Sequence, residues 1–231
     1  MKAPGHDAAK PLDSLPPLIT ALVPEAWWPK LIATGLAVTY KKGAYIIRVG
    51  ERDKYVRIGL SGWTALRRGE TILGLFSVAM QTNAVGHDRS PATADLVALT
   101  DVRAILLDSD TLTDAIVASP NGLLTLLKWS QRNLDRIVEF SAYRAGCTLN
   151  FGLPALLWAL GTPMPDGRRK IPSAIPQYAL AAALGASREE INRKKKLLRD
   201  TGCLIEQDGE EYLDAMTPLL LLPIEMPGGR A

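Results

Sequence analysis

From Thr39 onward the apolar positions fall in runs of five to seven residues, each closed by glycine or charged turn residues. In "VTYKKGAYIIRVGERDKYVRIGLSGWTALRRGETILGLFSV" the breaks stand at Lys42-Gly43, Gly50-Glu51-Arg52-Asp53, Ser61-Gly62 and Arg68-Gly69. "TADLVALTDVRAILLDSDTL" continues the pattern, with a tight turn at Thr100-Asp101 and a last strand over Val102 to Leu107. Short strands with turns at this spacing predict a small barrel or sandwich. Ahead of it, "LITALVPEAWWPKLIATGLA" has apolar clusters at helical spacing cut by Pro24 and Pro29, which predicts one or two short helices. Residues 1–16 are rich in Pro, Ala and Asp and are expected to form a loose lead-in, which extends to residue 24.

The period changes at Ser119-Pro120, a helix start with Ser as N-cap and Pro at the first helical position. Leu123, Leu127, Leu134, Ile137 and Val138 recur at helical spacing, the pattern runs toward Ala145, and Gly146 is the expected stop. Such a helix is a rod of roughly 39 Å. It is longer than the barrel it would cover, so its apolar stripe predicts pairing with a second copy of itself.

After the turn-rich stretch Gly161 to Gly167, taken as a linker, comes "IPQYALAAALGASREEINRKKKLLRDTGCLIEQDGEEYL". Gln177 to Leu184 reads as an Ala- and Leu-rich helix, and Gly185-Ala186 as a short turn. Ser187-Arg-Glu-Glu190 matches a capping box, in which the hydroxyl and the carboxylate satisfy each other's backbone N–H. Helix, glycine turn and capped helix make a helix-turn-helix, and "CLIEQDGEEYL" reads as a hairpin wing turning at Asp208-Gly209.

Composition sharpens this. The 231 residues are 47% hydrophobic and 22% charged, with a formal charge of only +3. Residues 165–200 nevertheless hold nine Lys/Arg against four Asp/Glu, a local +5, and the rest of the chain carries −2. One basic face on one module follows. Projected at 100° per residue, Arg188, Glu189, Asn192, Arg193, Lys196 and Arg199 share one arc, with Ile191, Leu197 and Leu198 opposite. That arc is suited to base edges, since Arg pairs bidentately with guanine and Glu accepts from cytosine. The expected base contacts are Arg188, Glu189, Asn192 and Arg193, and the expected phosphate contacts Ser187, Lys195, Lys196 and Arg199.

Other chemistry is sparse. Cys147 and Cys203 form no C-x-x-C pair, give no zinc or disulfide framework, and cannot supply the four thiolates usual for an iron–sulfur cluster. His6 and His87 are the only histidines, and the polar "GHDRS" turn around His87 favours an exposed imidazole over a haem ligand. Cys147 is expected to be a small buried hydrophobe rather than a redox switch. No nucleophile set, P-loop or metal-ligand cluster is present, so an enzyme is not expected. With neither a signal-peptide pattern nor a membrane-spanning apolar run, the expected location is the cytoplasm.

On these residues the chain resembles the CRP/FNR superfamily of transcription regulators over about residues 25–220. "KKGAYIIRVGERDKYVRIGLSGWTAL" is similar to the family's G-x-x-x-x-x-x-G…S-G pattern, and "LAAALGASREEINRKKKLLRDTGCLI" to its L-A…G-x-S-R-E-x-x-x-R pattern. The resemblance implies an α+β chain with a cyclic-nucleotide-binding-type, jelly-roll-like β-roll sensor domain over 25–118. It also implies a dimerisation helix over 119–146 and a winged helix-turn-helix over 147–231. It places Arg188, Glu189 and Arg193 at the base-contacting positions of the cyclic-AMP-receptor type. It further implies a homodimer, palindromic TGTGA-like half-sites one helical turn apart, and RNA polymerase as a partner. Lys194 departs from the pattern, standing where the family has an apolar residue. The sensor region departs too. It lacks F-G-E, and Arg89-Ser90, the candidate effector-binding pair, is followed by Pro91 before Ala92, which speaks against cyclic AMP. The effector is left unnamed. The rival is a cyclic-nucleotide-type regulatory or scaffold protein acting on a protein partner, which the β-roll alone would fit and the winged module opposes.

Overall fold

The structure is a computed structural model and describes residues 10–77, 80–81, 90–145 and 148–215. The chain divides into two compact units, Met1–Val138 and Glu139–Ala231, and the division falls within the long helix rather than at either of its ends.

In the first unit the short apolar runs become two antiparallel sheets. One has the order β1 (Lys10–Pro11), β2 (Leu36–Tyr40), β9 (Val102–Asp108), β4 (Tyr55–Ser61), β7 (Met80–Gln81). The other has the order β3 (Tyr45–Ile47), β8 (Asp95–Ala98), β5 (Thr64–Arg68), β6 (Thr71–Phe76). Strand β9 is almost entirely apolar because both of its faces are covered. Val102, Ala104 and Leu106 face Val38, Ile46 and Leu96 between the sheets. Ile105 and Leu107 point the other way, toward Ile19, Leu22, Leu31 and Leu112. That second layer is helical: α1 (Pro17–Leu22), a 3-10 turn (Glu25–Trp27), α2 (Trp28–Thr34) and α3 (Ser109–Val117). Asp108 starts α3 by accepting the Thr111 N–H at 2.9 Å.

The N-terminal segment is not the loose lead-in its prolines imply. Leu12, Ile19, Leu22 and Val23 are buried, and Lys10–Pro11 pairs with β2. Pro17 stands at the first position of α1, where a missing N–H costs no hydrogen bond, and the short helices expected ahead of the barrel are present as α1 and α2. The long helix α4 (Pro120–Ala145) begins as expected, the Ser119 hydroxyl accepting from Gly122 N–H at 3.1 Å. Leu126 and Trp129 on α4 pack on the helical layer. Leu123, Leu127, Leu134 and Val138 stay exposed, Leu127 to 65%, and Ile137 is half-buried. The expected stop at Gly146 lies outside the described residues, as does Cys147.

In the second unit the end of α4 is followed by an apolar helix, α5 (Leu149–Leu160), that buries Leu153, Leu156 and Leu157. The stretch taken as a linker is a hairpin arm. Strands β10 (Thr162–Pro163) and β11 (Arg169–Lys170) pair, and β11 joins β13 (Glu210–Leu213), which pairs with β12 (Leu204–Gln207). Arg169 anchors this arm by donating to the carbonyls of Trp158 (2.9 Å) and Gly161 (3.2 Å) at the end of α5. Helices α6 (Gln177–Leu184) and α7 (Arg188–Asp200) lie between β11 and β12 in the chain. Among the described residues no helix is long and apolar enough to cross a membrane.

Gly62 fixes the turn after β4. Its φ is +94°, and an added Cβ would lie 2.3 Å from the Asp101 carbonyl oxygen. Gly43 has φ +83° with open space around it. Gly43→Ala is therefore expected to cost about 1–2 kcal/mol from backbone conformation alone. Gly62→Ala adds the overlap and should cost about 3 kcal/mol or more in urea unfolding. Equal losses at the two positions would contradict this account of the turn.

Candidate nucleic-acid interface

Helix α6 ends where Gly185 takes a left-handed conformation at φ +66°, with the N–H of Ala186 closing on the Ala181 carbonyl at 3.0 Å. The chain re-enters a helix two residues later. Ser187 Oγ accepts from the Glu190 N–H at 3.2 Å, and Glu190 Oε2 accepts from the Ser187 N–H at 2.8 Å and its hydroxyl at 2.9 Å. These bonds, the backbone one first, hold the Glu190 carboxyl below its ordinary range. The expected capping box is thus present. It also takes up both donors of Ser187, so the structure does not leave that residue's hydroxyl proton for a phosphate.

Arg188, Glu189, Asn192, Arg193, Lys196 and Arg199 are all exposed along one flank of α7, as the projection predicts. Ile191 and Leu198 are buried on the other. Two positions depart. Leu197, expected inside, is 48% exposed. Lys195, expected at a phosphate, is 7% exposed and faces the wing, where its ammonium pairs with Glu211. The physical reason is angular: Lys195 lies at the edge of the arc, between Leu198 and Arg199, and β13 closes over that edge. Lys194 is half-buried, and burial lowers its pKa, the neighbouring Cys203 acting the other way. Its position in an apolar slot is met by burying the aliphatic stem.

Glu211 is the residue that the sequence reading missed. Register places it directly opposite Glu206 across β12 and β13. Like charges so placed repel. Arg199 lies over both, 2.6 Å from Glu211 and 3.7 Å from Glu206, while Lys195 takes the other Glu211 oxygen. Arg199 is therefore tied to the wing as well as exposed. A signal was available: Glu211 stands two residues before fully buried Leu213 and so shares its face of β13, where it needs a cation. Of the three cations among the expected phosphate residues, Lys196 alone is exposed with no ion pair among the described residues.

In the β-roll, Arg89 lies outside the described residues, as does His87, and Ser90 is exposed. A half-buried charged group in this unit is Arg57, ion-paired with Asp53 and donating to the Tyr40 hydroxyl at 3.3 Å. Burial pulls its guanidinium pKa down, but Tyr40 and Asp53 more than offset that, and the net direction is up. Among the described residues no group of three His, Cys, Asp or Glu is arranged to hold a metal ion.

No protein-family model matches the sequence, and no curated protein matches it. Solved structures do. FixK2 from Bradyrhizobium japonicum superposes with a TM-score of 0.69 at 15% identity, over 81% of this chain and 96% of its own. A CRP/FNR-family transcriptional regulator from Thermus thermophilus gives 0.58 at 20% identity, over 80% and 97%. A CooA mutant from Carboxydothermus hydrogenoformans gives 0.63 at 16% identity, over 80% and 87%. The chain has the fold of CRP/FNR-type regulators.

The Glu211 bridge generates a stability prediction. Removing Glu211 leaves the charge of buried Lys195 uncompensated, a loss that reaches about 3–5 kcal/mol for a fully buried pair. Glu211→Ala should unfold earlier in denaturant by up to that amount, and Lys195→Met combined with Glu211→Leu should recover most of it. Exposed Lys196→Ala should stay within about 0.5 kcal/mol of the parent. A Glu211→Ala protein as stable as the parent would show the bridge to be idle.

Proposed function

We propose that this protein is a sequence-specific DNA-binding transcription regulator that works as a homodimer. The observation that carries the reading is the open flank of α7, where Arg188, Glu189, Asn192 and Arg193 stand exposed on a helix capped and turned by Gly185 and Ser187. Backbone contacts position such a helix and base contacts specify its site. Arg188 and Arg193 are suited to guanine O6/N7, Glu189 to cytosine N4, and Asn192 to an adenine edge. The fold shared with a CRP/FNR-family regulator supports the same reading.

The wing adds a constraint. Residues 204–214 carry five carboxylates and no Lys or Arg, and although Glu206, Glu210 and Glu211 are paired with neighbouring cations, the hairpin offers no cation of its own to a phosphate backbone. Phosphate contact then falls to Lys196 and, in part, to Arg199. Two copies of α7 reach successive major grooves when two chains pair through the uncovered Leu123, Leu127, Leu134 and Val138, with Ile137 at the stripe's edge. The corresponding operator is a palindrome of TGTGA-like half-sites. An effector acting on the β-roll, with Arg89 and Ser90 as candidate contacts, and recruitment of RNA polymerase complete the proposal.

Replacing Arg188 or Glu189 with Ala should weaken cognate binding by about 1–3 kcal/mol and relax preference at the base pair each contacts. Lys196→Ala should weaken all sequences alike and reduce the slope of log affinity against log salt by about 1. A Glu189→Ala protein with unchanged base preference would contradict the assignment.

The pairing is tested separately. Leu127→Glu with Leu134→Glu should convert a dimer to a monomer in sedimentation and weaken binding to the full palindrome far more than to a half-site. A double variant that still sediments as a dimer would rule out this stripe.

A further inference from the structure

We infer that Tyr178 is a positioning residue for base recognition: its ring holds the Arg188 guanidinium in its outward orientation. The inference rests on the base-reading assignment of Arg188 proposed above. Arg188 is the first residue of α7 and Tyr178 the second of α6, and their side chains meet across the Gly185 turn. The Arg188 guanidinium carbon lies 5.5 Å from the Tyr178 ring centroid, within cation–π range. Tyr178 is 40% exposed, whereas Ala179, Leu180, Ala181 and Ala183 of the same helix are buried. The ring thus lies at the surface, outside the buried seam that these small residues form.

A free arginine side chain carries about 2 kcal/mol of rotamer entropy that binding must remove. An ion pair would hold it, but at the expense of its donors, as Arg199 illustrates with its N–H groups on Glu211 and Glu206. Among the described residues no carboxylate pairs with Arg188, and the partner it has is a ring face. A ring face restrains the guanidinium while accepting none of its in-plane N–H bonds. All five donors stay available for the bidentate pair with a guanine edge. The residue type therefore matters at position 178: an aromatic face serves and a hydroxyl is not required.

The test uses the full chain, a cognate duplex recovered from a random pool, and duplexes changed at each base pair in turn. Tyr178→Ala should lower affinity about two- to fivefold, the range of an exposed cation–π contact. The loss should be confined to the base pair at which Arg188→Ala also loses preference, with the salt slope and the unfolding midpoint unchanged. Tyr178→Phe should match the parent, and Tyr178→Ala should add nothing in an Arg188→Ala background. Additive losses overturn the inference, and so does a Tyr178→Phe protein as impaired as Tyr178→Ala, which would assign the hydroxyl to a phosphate. If Arg188→Ala is impaired at one base pair and Tyr178→Ala is not, the positioning role alone falls. If Arg188→Ala keeps full base preference, the reading of Arg188 falls and takes this inference with it.

Discussion

A half-buried carboxylate on the wing, Glu211, decides which cations of α7 serve the fold and which stay on its open flank. Helix α7 holds six cations in thirteen residues, Arg188, Arg193, Lys194, Lys195, Lys196 and Arg199, and nothing in a helical repeat can place all six on one side. Lys195 is the one that faces inward. An unpaired ammonium there would either lose its charge or destabilise the unit by several kcal/mol. Glu211 supplies the counter-charge, and through its second oxygen it also takes Arg199. Glu206, opposite in the hairpin register, is compensated by the same arginine. The hairpin is thereby joined to the last two turns of α7 by charge, and the first two turns remain open.

That division gives the helix two functional halves. Near its start, the capping box and the Gly185 turn set the direction of the backbone, and Arg188, Glu189, Asn192 and Arg193 project without carboxylate partners from the wing. Near its end, Lys195 and Arg199 serve the fold, and Lys196 stays exposed with no ion pair among the described residues. A helix whose cations were all held by the wing would be a structural helix only. One with none held would have an uncompensated lysine in its core. The acidic wing follows from the same arrangement, because the carboxylates that stabilise α7 make the hairpin a poor surface for phosphate.

Much of this was legible in the residues. The strand runs between glycine turns, the Ser119-Pro120 helix start, the Ser187–Glu190 cap and the Asp208-Gly209 turn are local devices, determined by residues close in sequence, and each is found in place. What escaped was non-local. Leu12 and Ile19 look like parts of a proline-rich lead-in until β9 offers them a surface, and Thr162-Pro163 looks like a linker until β11 pairs with β13. Lys195 sits at the border between the two faces of α7, where helical projection cannot decide. Its burial is settled by a strand some sixteen residues away. The fold as a whole was more readable than the roles of individual cations, because hydrophobic periodicity is a property of segments while charge pairing depends on register.

The central claim is that the open flank of α7 meets base edges. Selection from a pool of fully randomised DNA duplexes, followed by sequencing of the bound fraction, tests it most directly. The account predicts enrichment of a two-fold symmetric motif whose half-sites are centred one helical turn apart. A bound fraction as featureless as the starting pool, at salt concentrations where binding persists, would contradict it.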